Sequence, residues 1–195
     1  MLLVHCITRL RYEIKFHLKL DICDETLEHI IKQYYKIPYF RKGISSRKKG
    51  RKVIVSLTTI PARLNKVWLT TESLLRQKVK PDKIILWLAE DEFEGIEIPK
   101  TLKRQQNRGL EIRYCKNLKS YKKFYYTMLE YPDAYVLVVD DDFIYSEKMV
   151  TEMLNVSARY PDSIVCNRAH KIRADKNGMF PYLRWICYED RKIRE

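Results

Sequence analysis

Apolar and polar positions alternate strictly from Tyr12 to Leu20, through Ile14, Phe16 and Leu18, which is the period of a β-strand. The spacing then becomes helical. Asp24 stands where an N-cap would, Leu27, Ile30, Ile31 and Tyr34 fall on one face, and Pro38 closes the segment. A basic stretch with Ser and Gly, from Arg41 to Lys52 and including Arg47-Lys48-Lys49, reads as a linker or flexible lead-in. Residues 1–52 are therefore expected to form a basic strand-and-helix extension, and 53–195 the domain proper.

Beyond Lys52 short apolar runs are separated by amphipathic segments. Strands are predicted at Val53–Leu57, Lys83–Ala89, Glu111–Cys115, Tyr135–Val139 and Ser163–Asn167. Helices are predicted at Lys66–Gln77, near Lys100, at Ser120–Tyr131 and at Ser146–Tyr160, the first with Val67, Trp68, Thr71, Leu74 and Leu75 on one face. Strands alternating with helices imply βαβ units, right-handed crossovers and a mostly parallel, doubly wound α/β sheet with helices on both faces. In such sheets ligands bind beyond the carboxyl ends of the strands, so candidate chemistry is sought there.

Hydrophobic residues make up 46% of the 195, with few Gly and Pro, which fits a globular chain and excludes a fibrous or low-complexity one. Charge adds a second feature. The chain carries 38 Lys or Arg against 25 Asp or Glu, and residues 1–52 alone hold 13 against five. An excess concentrated at the amino end would attract nucleic acid, anionic lipid or a polyphosphate. Cysteines at 6, 23, 115, 166 and 187 are odd in number, form no CxxC pair and sit among apolar neighbours, as expected of reduced structural thiols in the cytoplasm. The opening MLLVHCITRL is interrupted too early, by Arg9, for a signal peptide, and no run reaches the roughly 18 apolar residues of a membrane span. Membrane contact would then be peripheral, on the inner face, through the basic N-terminus.

The strongest chemical signal follows the apolar run Tyr135–Val139: Asp140, Asp141 and Asp142 in succession. Three adjacent carboxylates repel one another and call for a counter-ion. Oxygen donors select a hard cation such as Mg²⁺ or Mn²⁺, which binds through one or two carboxylates plus substrate phosphates. Strand alternation puts Asp140 and Asp142 on one side and Asp141 on the other, making Asp140 and Asp142 the substrate-facing pair and Asp142 the direct metal ligand. The first strand runs into Ser56-Leu57-Thr58-Thr59-Ile60-Pro61-Ala62-Arg63, which sets the hydroxyls of Ser56 and Thr58 and the cation of Arg63 at the same edge. Neither GxGxxG nor GxxxxGK[ST] occurs, which disfavours dinucleotide dehydrogenases and P-loop enzymes. Lys119-Ser120-Tyr121-Lys122-Lys123 opens a helix with positive charge where the macrodipole is already positive, a conflict that a bound anion would relieve. After the last predicted strand, Arg168 and His170 would contact a diphosphate or complete a metal sphere.

Together SLTTIPARL, PDKIILWLAEDEF, LKSYKKF, EYPDAYVLVVDDD and CNRAHKI resemble bacterial glycosyltransferases of the GT-A type, associated with capsule and other surface polysaccharides. The similarity covers about residues 53–188, and the DDD run matches that fold's DXD motif. The resemblance implies a Rossmann-like nucleotide-binding sheet, a sugar nucleotide donor (commonly a UDP-sugar), and Mn²⁺ or Mg²⁺ bridging Asp142 and the diphosphate. It further implies that Asp140 or Asp141 contacts ribose or sugar, that Ser56 to Arg63 lines the nucleoside site, and that Lys123 faces the phosphates. The acceptor would be a glycan or a lipid-linked sugar. GT-A enzymes usually continue further, with acceptor contacts and a catalytic carboxylate, so the resemblance also implies a C-terminally truncated or short form. Glu189 and Asp190 are the carboxylates in that direction.

Two other classes compete on the residues alone. A nucleotidyltransferase or phosphatase would use metal on a similar sheet, although an aspartyl-nucleophile phosphatase would carry its Asp pair on the first strand, which here reads VIVSL. A nucleic-acid-binding module would explain the charge, but the chain lacks any RNP or zinc-finger signature.

Overall fold

In the computed structural model, residues 24–46, 50–176 and 178–189 are described, and the strand expected at 12–20 lies outside them. The chain divides into two units, Met1–Val150 and Thr151–Glu195.

In the first unit, α1 (Asp24–Lys36) stops just before Ile37-Pro38, since the residue preceding proline avoids helical geometry. β1 (Val53–Thr58), β2 (Lys83–Ala89), β3 (Leu110–Cys115) and β4 (Tyr135–Val138) then form one four-stranded sheet in the order β3-β2-β1-β4. All three pairings are parallel, with Ser56 opposite Ile85 and Val138. The helices between them are α2 (Trp68–Leu75), the single turn α3 (Glu90–Phe93), α4 (Lys100–Gln106) and α5 (Lys122–Glu130); α6 (Met149–Arg159), next after β4, runs from the end of this unit into the second. This is an α/β architecture compatible with a Rossmann-like fold.

Both faces of the sheet are buried, as continuous apolar runs demand. On one face Ile54, Ile85, Trp87 and Cys115 cluster, with Tyr126 of α5, Tyr131 and Ala134 packed against them. Burial pushes the Cys115 thiol up to about 11, which makes it an inert core residue. On the other face Val55, Leu57, Ile84, Leu86 and Leu88 are fully buried too. Asp82 fixes the sheet's entry edge: Val53 donates its N–H to the Asp82 carboxylate at 2.7 Å, and Asp82 donates its own to Val53 O at 2.7 Å.

The stretch read as a linker is anchored at its start. Gly43 donates to Arg108 O at 2.8 Å and Ser45 to Pro81 O at 2.7 Å. A Cβ on Gly43 would lie 2.1 Å from Leu75 Cδ2, and Gly109, at φ +113°, approaches Ile44 so closely that a Cβ there would meet it at 2.7 Å. Neither position tolerates a side chain.

The second unit corrects one expectation. Residues 163–167 form no strand, and Ile164 is 96% exposed. The apolar run Ile164-Val165-Cys166 is too short to make its own ladder. Extended pairing begins instead at β5 (Arg168–Lys171), antiparallel to β8 (Ile186–Glu189), with the short hairpin β6 (Ala174–Asp175) and β7 (Gly178–Met179) between them. Among the described residues no helix is long and apolar enough to cross a membrane.

A buried ionic cluster ties α1 and α4 to α2. Glu72 is 5% exposed and meets Arg76 Nε at 2.8 Å, Arg108 Nη1 at 2.7 Å and the Gln105 amide at 3.0 Å. Arg76 in turn donates to Ile37 O at 2.9 Å and lies over the rings of Tyr34, Tyr35 and Tyr39. Burial opposes ionisation of Glu72, but Arg108, Arg76 and Gln105 together outweigh it and hold its carboxyl below the ordinary range. Because the folded-state pKa is lowered, the stabilisation is complete above the unfolded value and is lost as pH falls through the folded one. Replacing Glu72 by Ala strands two guanidiniums and is expected to cost about 3–5 kcal/mol. Urea denaturation at neutral pH measures that loss. The gap between variant and parent should narrow once the pH falls below the ordinary carboxylate range.

Candidate functional site

The acidic run begins where β4 ends. Val139 still donates to Ser56 O at 3.0 Å, after which the chain leaves the extended state and turns at Asp141-Asp142. The alternation expected to separate Asp141 from Asp140 and Asp142 therefore does not apply. Asp141 and Asp142 converge instead on Arg63, whose Nη1 lies 3.2 Å from Asp141 Oδ1 and 3.0 Å from Asp142 Oδ2. Asp140 turns to Lys123 Nζ at 2.5 Å. Like charges cannot share one direction at this spacing, and the turn lets each carboxylate reach a cation.

Asp141 is the buried member, 7% exposed. Its Oδ2 accepts the Thr59 hydroxyl at 2.5 Å, and its backbone carbonyl accepts Thr70 Oγ1 at 2.8 Å. Burial raises its carboxyl pKa, opposed by Thr59 and Arg63 and reinforced by the neighbouring Asp142. Among the described residues Asp142 Oδ1 is buried without a hydrogen-bond partner, and so is Arg63 Nε. One guanidinium thus serves two carboxylates. The Asp140 N–H donates to Tyr145 Oη at 2.9 Å, and the Tyr145 N–H donates to Ser73 Oγ at 3.0 Å, which fixes the far side of the turn.

A cavity of about 180 Å³ opens at this edge, lined among others by Thr58, Thr59, Arg63, Asp140 and Asp141. Its opposite wall is the turn Lys119–Tyr121 with the start of α5, which contribute Lys119, Ser120, Lys122 and Lys123, and α3 contributes Glu92. The volume suits a phosphate-sized part of a ligand. A larger, open hollow of about 630 Å³ is lined by Glu90, Asp91 and Phe93 of the same α3 turn with Glu94, Glu97 and Tyr114, and its negative rim is unsuited to phosphate.

The sequence candidates are distributed unevenly. Thr58, Arg63, Lys123, Asp140 and Asp141 line the cavity, and Asp142 joins them through Arg63. Thr58 spends its hydroxyl on Trp87 O at 2.7 Å. Ser56 is fully buried, its hydroxyl held by Lys123 O and by Thr127 Oγ1, so it ties β1 to α5 and presents nothing to the cavity. Arg168 and His170 lie in β5 of the second unit rather than in a loop after a parallel strand. Arg168 is in register with Glu189, and His170 Nε2 meets Tyr182 Oη at 3.1 Å. Asp190 lies outside the described residues.

Sequence reasoning missed Thr59, Thr70, Ser73, Glu92, Lys122 and Tyr145. Thr59, Glu92 and Lys122 stand inside motifs the sequence offers, without being singled out there. The hydroxyls of α2 look like a solvent face until the fold buries them. Among the described residues no group of three or more His, Cys, Asp or Glu side chains gathers as a metal cage. No protein-family model matches the chain, and no curated protein is similar enough to it to count as a relative.

An ionised Asp141 costs the fold stability, because its pKa is raised: the penalty is absent below the unfolded value and grows as pH rises through the folded one. Asp141→Asn should therefore stabilise the protein at neutral pH, by on the order of 1 kcal/mol. Denaturation curves at neutral and acidic pH test this, and the advantage should vanish below the ordinary carboxylate range.

Proposed function

We propose that this edge of the sheet binds the diphosphate of a sugar nucleotide together with Mn²⁺ or Mg²⁺, and that the chain is a GT-A-type glycosyltransferase or its donor-binding part. The observation that carries the reading is Asp142 Oδ1, a buried acceptor without a donor among the described residues, in an acidic turn at the carboxyl end of a parallel strand. Arg63, Lys119, Lys122 and Lys123 around the same cavity supply the positive field a diphosphate needs. A UDP-sugar is the donor that the sequence resemblance favours, with a surface glycan or lipid-linked sugar as acceptor.

The residues present fit such an ion. Asp142 would hold it through Oδ1, with Asp140 as the more exposed second carboxylate, and phosphate oxygens would supply the remaining positions. When bound, the metal would supply Lewis-acid stabilisation of charge on the departing diphosphate. Arg63, held at the Asp141-Asp142 turn, keeps the carboxylates oriented and adds fixed positive charge. Thr59 and Thr70 hold the Asp141 turn, so the donor set is assembled before a ligand arrives.

Calorimetric titration of UDP-sugars with and without Mn²⁺ tests the reading. Binding should need the metal, and Asp142→Ala should weaken it about tenfold or more, as expected for the loss of a metal-ligating carboxylate. Metal-independent binding, or unchanged binding by the variant, would overturn it.

A further inference from the structure

Lys122 is the most deeply buried charged residue among those described, at 1% exposure. An ammonium withdrawn from water needs a counter-charge. Its partner is Glu92, whose Oε2 lies 3.3 Å from Lys122 Nζ, longer than the roughly 2.7–2.9 Å of a well-formed charged hydrogen bond. Glu92 also stands 3.7 Å from Lys119 Nζ and accepts the Asn117 amide at 2.9 Å. Lys119 sits at φ 53°, in the left-handed region a lysine rarely occupies, with its N–H donating to Asn117 Oδ1 at 3.0 Å. Asn117 thus positions both the carboxylate and one of the ammoniums it faces. All three charged residues line the cavity at the end of β4.

We propose that Lys122 is a phosphate-binding residue of this cavity and that Glu92 is the anion it holds meanwhile, displaced when a phosphate oxygen enters. The proposal rests on the reading of the cavity as a diphosphate site. The two partners differ in what they can give up. Lys122, its side chain 2% exposed, is fixed in the cavity wall, whereas Glu92, at 25%, can turn to water while keeping Asn117. Lys123, the cation first expected to face the phosphates, is already engaged by Asp140 at 2.5 Å. The Asn117 amide, assisted by Lys122 and Lys119 against a burial effect, keeps the Glu92 carboxyl below its ordinary range. It is therefore a full negative charge at neutral pH, competing for the same ammoniums as a phosphate. The exchange swaps one counter-ion for another and transfers no proton.

The test is calorimetric titration of magnesium pyrophosphate into the full chain as wild type, Glu92→Gln and Lys122→Met, with thermal melts on each. Removing the competing charge should tighten binding about five- to tenfold in Glu92→Gln, and Lys122→Met should weaken it about tenfold or more. Should Lys122→Met fail to fold, Glu92→Gln decides alone. Wild-type binding with Glu92→Gln equal or weaker overturns this inference and leaves the diphosphate reading standing. A wild type that binds no pyrophosphate overturns both.

Discussion

Arg63 is one guanidinium between two carboxylates, and the whole carboxyl edge of the sheet is arranged around that shortage. Asp141 takes one of its contacts from inside the protein and Asp142 the other from nearer solvent. A second cation in the same place would neutralise the turn outright, and the acceptor left open on Asp142 shows where neutralisation stops. Every other feature of the site follows from this partial balance. Asp140 is drawn away to Lys123, Asp141 is propped by two threonine hydroxyls, and the chain abandons the strand one residue before the acids begin.

The parallel sheet makes the arrangement possible. With the order β3-β2-β1-β4, the loops after β1 and β4 are neighbours, so Thr59 and Arg63 meet the aspartates across adjacent strands. The segments after β2 and β3 bring Glu92, Asn117 and Lys122 to the same edge. An antiparallel neighbour would have sent one of these loops to the other end. Charges distant in sequence by some 80 positions, such as Arg63 and Asp142, become partners because topology leaves them no other place.

Most of the sheet was legible in the sequence because its strands are buried on both faces and therefore read as apolar runs. Lys83–Ala89 is recovered to the residue, and Val53–Thr58 and Leu110–Cys115 to within one. The gathering of Thr58, Arg63, Lys123 and the aspartates at one edge followed from strand direction alone. What stayed hidden depends on side chains whose environment no local pattern encodes. Ser56 reads as a hydroxyl at the strand's ligand edge until the register carries it under α5, where Thr127 also accepts the Trp87 indole N–H at 2.8 Å. That Asp141 and Asp142 turn to the same guanidinium is hidden from strand periodicity, because the strand ends before them. Ser163–Asn167 failed for the converse reason: a β-like composition with no partner to pair it.

The helix α2, predicted as a helix but not in the burial of its polar residues, explains how the acidic turn is held. Its residues from Leu69 to Leu75 are all buried, although Thr70, Thr71, Glu72 and Ser73 are polar. One side of the helix holds the acidic turn and its continuation: Thr70 donates to Asp141 O, Ser73 receives the Tyr145 N–H, and Gln77 donates to Ser146 O at 2.6 Å. The other side holds Gln105, Arg108 and, through Arg76, the end of α1. A buried polar network is stable only when its members stay satisfied, so α2 cannot shift without breaking bonds on both sides at once. The repulsion among the aspartates therefore works against a rigid helix instead of a loose loop, and the turn keeps its shape without a ligand. The anchoring of residues 37–45 beside Arg76 and Arg108 belongs to the same network, which ties the end of α1 to α2.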